Sequence, residues 1–171
     1  MKQINNHLTE RKRMKKLMMI ACMMLFSTAM FADKGDIMIG GGISYGIHSD
    51  YKNFGIGVKG SYELMENLRA AAQVDHFFLH EDVQISDINV NLEYAFPVSD
   101  AINVYPLAGL AFVGHSSNSF GFLNSAKIGF NIGAGAELPI NDKWKIFLDA
   151  KYQIVKDWGR FVPTLGVMFA L

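Results

Sequence analysis

From residue 36 onward, apolar and polar positions alternate with a period of two, the mark of strands whose faces meet different surroundings. Ile37, Ile39, Ile43, Tyr45 and Ile47 share one parity, and Asp36, Gly40, Gly42, Ser44, Gly46 and His48 the other. The pattern recurs with Phe54, Ile56, Val58, Tyr62 and Leu64 against Gly55, Gly57, Lys59, Ser61 and Glu63. A third strand sets Leu68, Ala70, Ala72, Val74 and Phe78 against Arg69, Gln73 and Asp75. A fourth sets Ile88, Val90, Leu92, Tyr94 and Phe96 against Asn89, Asn91 and Glu93. Val83 and Ile85 break its parity, which predicts a β-bulge near Ser86-Asp87. The fifth strand, Ile102–Val113, holds Pro106, which predicts a local break in the ladder. The sixth and seventh carry Ile128, Phe130, Ile132, Ala134, Ala136, Leu138 and then Trp144, Ile146, Leu148, Ala150, Tyr152, Ile154 on their apolar sides. The eighth carries Leu165, Val167, Phe169 and Leu171.

The connections alternate in length. Met65-Glu66-Asn67, Pro97–Ala101 and Pro139–Lys143 read as tight turns, whereas the other connections are longer on average and one runs Gly114–Ser125. An even number of alternating strands of about ten residues, with short turns at one end and longer loops at the other, is the transmembrane β-barrel pattern. The aromatics support it by their heights. Tyr45, Phe54, Phe78, Phe112 and Phe130 fall near the loop end, and Tyr62, Tyr94, Phe96, Trp144 and Phe169 near the turn end. Two girdles suit two membrane interfaces. The polar parity carries Lys59, Arg69, Lys127, Lys145 and Lys151 against Glu63, Asp75, Glu93, Glu137 and Asp149. Inside an eight-stranded barrel, which side chains just fill, these ten groups are expected to pair. The alternative is a soluble periplasmic lipocalin-like ligand-binding barrel, with the same charges forming a solvated exterior and the apolar side turned inward.

Charge and composition change the picture mainly at the N-terminus. The 171 residues sum to zero net charge, but residues 1–32 hold Lys2, Arg11, Lys12, Arg13, Lys15 and Lys16 against Glu10 alone. The rest is acidic by five charges, which argues against nucleic acid as a partner. Leu17–Ala32 is an uncharged, largely apolar stretch of 16 residues behind Lys15-Lys16. It is short for a spanning helix and reads as a cleaved signal peptide. Cleavage after Ala32 is expected, with Ala29 the alternative, and Met14 is an alternative start. The domain division is thus an N-terminal extension and signal peptide over residues 1–32 and a barrel over 33–171. Cys22, the only cysteine, falls in the leader; a lipoprotein cysteine is the weaker alternative there. A mature chain without cysteine is held by its core or by a membrane.

The segments VYPLAGLAF (Val104–Phe112) and FNIGAGAELPINDKWKIFLDAKY (Phe130–Tyr152) resemble the small eight-stranded outer-membrane barrels of the OmpA/OmpX and opacity type, the porin-like family. The resemblance covers the whole mature chain. Two departures stand out. Lys151 occupies a position where the family often has Arg, and Phe169 lies two before Leu171 where the family usually ends in an aromatic read by the insertion machinery. The resemblance implies an all-β, up-and-down barrel in the Gram-negative outer membrane, inserted by the barrel-assembly machinery, monomeric, and surrounded by lipid and lipopolysaccharide.

Candidate chemistry is sparse. Gly40-Gly41-Gly42 and Gly133-x-Gly135 open no helix, so they read as close strand packing rather than phosphate loops. His76 and His80 on a strand stand about 13 Å apart, too far for one metal. His80-Glu81-Asp82 reads as a solvated acidic loop. The segment GHSSN, with His115, Ser117 and Asn118, resembles the His-x-Ser-Asn stretch of outer-membrane lipid A deacylases, but His115 and Ser117 fall on the inward parity and the one obvious acid, Glu137, lies at the far end of the next strand. No catalytic, cofactor or metal residues are therefore expected. The expected function is a structural or surface-interaction role with a side-chain-filled lumen, not a large pore; the lipid A-modifying enzyme is the weaker alternative. Any surface ligand is expected at residues 114–125, where Phe120 and Phe122 stand among small polar residues.

Overall fold

The computed structural model describes residues 35–50, 52–78, 84–99, 101–116, 126–156 and 158–171. Alternation in this stretch becomes nine strands: β1 (Ile37–Ile47), β2 (Lys52–Met65), β3 (Leu68–Phe78), β4 (Gln84–Tyr94), β5 (Phe96–Ser99), β6 (Ile102–Ser116), β7 (Lys127–Pro139), β8 (Trp144–Val155) and β9 (Trp158–Ala170). Each pairs antiparallel with its neighbours in the chain except across the β4–β5 break, and two further pairings, β1 with β9 and β4 with β6, close the sheet on itself. β4 and β5 are two parts of one stave interrupted at Ala95. β4 pairs with β6 as far as Glu93↔Leu107, and β5 takes over from Phe96↔Val104. The protein is a closed eight-stranded antiparallel barrel.

Two sequence expectations are corrected and one is met. The ladder from β3 to β4 runs without interruption through Asp75↔Asp87 and His76↔Ser86, so no bulge lies at Ser86-Asp87. Ile85 points inward with Asp87 because the lumen is apolar at that height. The ladder break expected at Pro106 is present: pairing with the preceding stave lapses between Leu107 and Val104, while β6 itself is continuous and Pro106 pairs in register with Ala134 on the other side. On the partner stave the lapse covers Tyr94 and Ala95, and Tyr94 is the position opposite the proline, which has no N–H to offer. The Pro97–Ala101 turn is shorter than expected, because Phe96–Ser99 continues pairing with β6.

Turn chemistry seals one end. Asn67 holds a left-handed φ of 66°, a conformation asparagine tolerates, and its carbonyl accepts from Ala95 N at 2.7 Å. The Asn141 side chain accepts from Lys143 N and Trp144 N, both at 2.9 Å. At the same end the β1–β9 seam is finished by Leu171 N donating to Ile37 O at 3.0 Å. This is the turn end; β1, β3, β6 and β8 finish, and β2, β4, β7 and β9 begin, at the opposite, loop end.

The faces settle the inside–outside question. Ile56, Val74, Leu92, Ile132, Leu148 and Leu165 are all about half exposed or more, on the outer surface. Lys59, Asp75, Asp87, Glu93, Asp149, Lys151 and Arg160 are buried within the barrel. An apolar exterior around a charged interior is the reverse of a soluble barrel. The aromatic rows match the two expected girdles: Tyr45↔Phe54↔Phe78 align across three staves at the loop end, and Tyr94 packs on Phe96 and Trp144 on Phe169 at the turn end, at 4.7 and 4.9 Å between ring centres.

Candidate functional site

The interior is the most elaborated part of the molecule and is layered along the barrel axis. At the turn end, Met38, Phe147 and Met168 form an apolar layer with Ala170 against it. Above it Arg69 bridges two staves, with Nε 2.6 Å from Glu93 and Nη1 2.6 Å from Glu137. Glu137 also accepts from Asn103 at 3.0 Å and faces Lys145 Nζ at 3.3 Å. Lys59 Nζ lies between Glu93, at 2.7 Å, and Asp149, at 2.8 Å, and the Tyr105 hydroxyl donates to the other Asp149 oxygen. A cavity of about 10 Å³, bounded by Lys59, Arg69, Tyr105, Glu137, Phe147 and Met168 among others, leaves room for roughly one water.

The next layer centres on Asp75, which accepts from Ser44 and Gln73 at 2.8 Å and from Asn89 at 3.3 Å, and faces Lys151 Nζ at 3.5 Å. Asn131 donates to Asn89 and Asn91 at 2.9 Å. Higher still, Arg160 pairs with Asp87 and donates from Nε to Gln153 at 2.6 Å. Gln153 in turn donates to Asp87 at 2.9 Å. The guanidinium of Arg160 lies 4.1 Å from the ring centre of Phe77, where a second apolar layer begins: Phe77, Ile85, Ala111, Val113, Val155 and Val162, with Trp158 packed against it.

Five cations (Lys59, Arg69, Lys145, Lys151, Arg160) thus meet five anions (Asp75, Asp87, Glu93, Glu137, Asp149). Charges taken out of water cost several kcal/mol each unless partnered, so the matching is a condition of this interior existing. Two expected members lie elsewhere. Lys127 is exposed at the start of β7, and Glu63 accepts from Asn67 N at 3.3 Å beside a turn. Sequence reasoning missed Asp87 and Arg160. Asp87 was hidden by the expected bulge, although it shares the parity of Asn89, Asn91 and Glu93. Arg160 shares the parity of Val162 and Thr164, both buried, in a strand whose polar side was not assigned.

The glycines belong to this packing. A Cβ on Gly40 would run into the backbone of Val167 and Met168, and one on Gly135 into the Tyr105 ring. Close approach explains both, as expected from their lack of a following helix.

The profile of the family described as outer membrane protein β-barrel domain matches residues 18–162. The chain belongs to that family. It is an outer-membrane protein of the Gram-negative envelope, of the OmpA/OmpX-like type. Solved structures of the same fold include Neisserial surface protein A, 17% identical over 80% of this chain and 97% of that one, with a TM-score of 0.64. The N-terminal β-barrel domain of Pseudomonas aeruginosa OprF is 17% identical over 81% and 100%, with a TM-score of 0.59. Ail, the attachment invasion locus protein of Yersinia pestis, solved in complex with the heparin analogue sucrose octasulfate, is 17% identical over 80% and 97%, with a TM-score of 0.55. At such identities the likeness is one of fold. No curated protein sequence matches the chain.

For this outer-membrane barrel, His115 and Glu137 are the pair of the suggested catalytic set that the described residues include, and they are not brought together. His80, Glu81, Asp82, Ser117, Asn118, Phe120 and Phe122 lie outside the described residues. His115 is at the loop end of β6, paired with Ile85, whereas Glu137 pairs with Asn103 at the turn end. Twelve residues of strand separate the two levels, roughly 40 Å along β6. Glu137 is also engaged by Arg69, Asn103 and Lys145, so it is no partner for His115.

Proposed function

We propose that this barrel is a closed, side-chain-filled outer-membrane protein that serves the envelope as a structural or surface-contact element, not as a large pore and not as an enzyme. The observation that carries the reading is the interior itself: a matched set of buried ion pairs held between two apolar layers. An eight-stranded barrel has an interior about the width of its own side chains. Opening a path would require separating buried partners, which costs about 3–5 kcal/mol for each pair broken. Planar-bilayer recordings of the purified monomer are expected to show no large steady conductance. Stable ion-permeable channels of porin size would overturn the reading.

Surface contact is assigned to residues 114–125, the end of β6 and the residues that follow it. Replacing residues 116–124 by Gly-Ser should leave barrel levels unchanged and reduce attachment of whole cells to surfaces. Residues 1–32 act in this reading as the extension and signal peptide, and the mature barrel inserts as a monomer through the barrel-assembly machinery. Intact-mass measurement of protein from membranes is expected to give a chain starting at Asp33; one starting at Met30 would move the cleavage to Ala29.

A further inference from the structure

The outer surface contains one polar feature that the lumen does not explain. Among the described residues facing outward between the two aromatic girdles, His76 and Ser86 are the polar side chains other than tyrosine. Their orientation follows from the neighbours: Asp75 and Phe77 on one side of His76, and Ile85 and Asp87 on either side of Ser86, are all buried in the lumen. His76 and Ser86 are cross-strand partners, and Nδ1 of His76 is 3.0 Å from Oγ of Ser86. The His76 ring meets Phe78 edge-on at 5.1 Å. The flanking positions in the same row are Ile56 on β2 and Gly114 on β6, so beside Ser86 no further side chain intervenes.

Polar side chains facing hydrocarbon are costly, and an ionisable one there is a candidate for a functional site. The proton count defines the task. An imidazole and a hydroxyl hold at least two donatable protons between them. One is spent in the mutual bond, whichever atom donates it, and at least one other is left to point outward. In either tautomer the pair therefore presents at least one donor to the membrane. Its depth selects the acceptor. His76 is two residues from the girdle position of Phe78, about 5 Å nearer the mid-plane on a tilted strand. Girdle aromatics mark the headgroup level, and the acceptor lying just beneath that level is the acyl ester carbonyl.

We propose that His76 and Ser86 form a binding site for an acyl-ester lipid, donating their spare proton to its ester carbonyl. The site rests on the barrel's place in the membrane and not on what its loops contact. The test uses the folded full-length barrel in nanodiscs of phosphatidylcholine with either ester-linked chains or ether-linked chains, which keep the phosphate and lack the carbonyl. Lipid retained after gentle release is counted by native mass spectrometry. The wild-type protein is expected to retain a lipid from ester nanodiscs roughly fivefold more than the His76→Phe/Ser86→Ala double variant, the equivalent of one hydrogen bond of about 1 kcal/mol. In ether nanodiscs the two should be equal. Ser86→Thr, which keeps the hydroxyl, should behave as wild type. The double variant makes the lipid face more apolar and should fold, which heat-modifiable migration on a gel checks. Equal retention by wild type and double variant in ester lipid would reduce the pair to a self-satisfied contact and overturn the proposal. A loss of equal size in ester and ether lipid would assign the contact to the phosphate and overturn it as well.

Discussion

At the scale of single residues the barrel offers two opposite experiments. Leu148 is 50% exposed on the outer face, in the middle of β8. Arginine there must sit in hydrocarbon, so Leu148→Arg should cost about 2–4 kcal/mol, read from a urea unfolding titration in liposomes. An unchanged midpoint would contradict the face assignment. Inside, Arg160 and Asp87 are fully buried and paired. Removing either alone by substitution to leucine strands the other, and should cost about 3–5 kcal/mol. Removing both should cost much less than the sum, because no bare charge remains. Strict additivity in that double-mutant cycle would mean the pair is not coupled. Gln153 shows how far interior polarity differs from surface polarity: it is buried and bonded to Arg160, Asp87 and Asn89.

At the scale of elements, turns and loops divide the labour. The β2–β3 turn is short and depends on Asn67 at φ 66°. Asn67→Gly should be neutral within a few tenths of a kcal/mol, whereas Asn67→Val should destabilise by roughly 1–3 kcal/mol, since a β-branched residue is strained at positive φ. Equal midpoints for the two variants would show that this turn does not need the left-handed residue. Strand identity was legible from alternation because a strand's side chains must point to opposite sides. The uninterrupted run through Ser86-Asp87 was not. Reading Ile85 as a parity error assumed that every inward residue is polar, but the lumen is apolar at both ends, and Ile85 is inward by the same alternation. The same assumption obscured Phe77 and Phe147, both buried in the lumen.

At the scale of the whole molecule, closure decides stability. The seam pairs β1 with β9, from Met38↔Ala170 to Ile47↔Phe161, and every backbone group left unpaired there would face lipid. Deleting residues 165–171 removes the turn-end half of that seam. The truncated chain is expected to lose the heat-modifiable folded band in detergent and to be recovered in the aggregated fraction. A folded, protease-resistant truncated barrel would show that closure is dispensable. Replacing the loop residues 116–124 should leave that band in place, because a loop tip carries few of the contacts that close the sheet.

Period-two alternation, aromatic heights and turn spacing determined by themselves that this chain forms eight staves with two unlike faces. That information is local, because the chirality and pleat of one strand set which of its residues lie together. The tertiary structure alone decided which charge meets which. Arg69 reaches Glu137 across 68 residues and Lys59 reaches Asp149 across 90. Asp87 and Arg160, 73 residues apart, meet only because closing the sheet brings β4 and β9 to face each other across the lumen. A strand's sequence states which side is polar; the partner of each polar group is set by the barrel's register and closure, which no single strand contains.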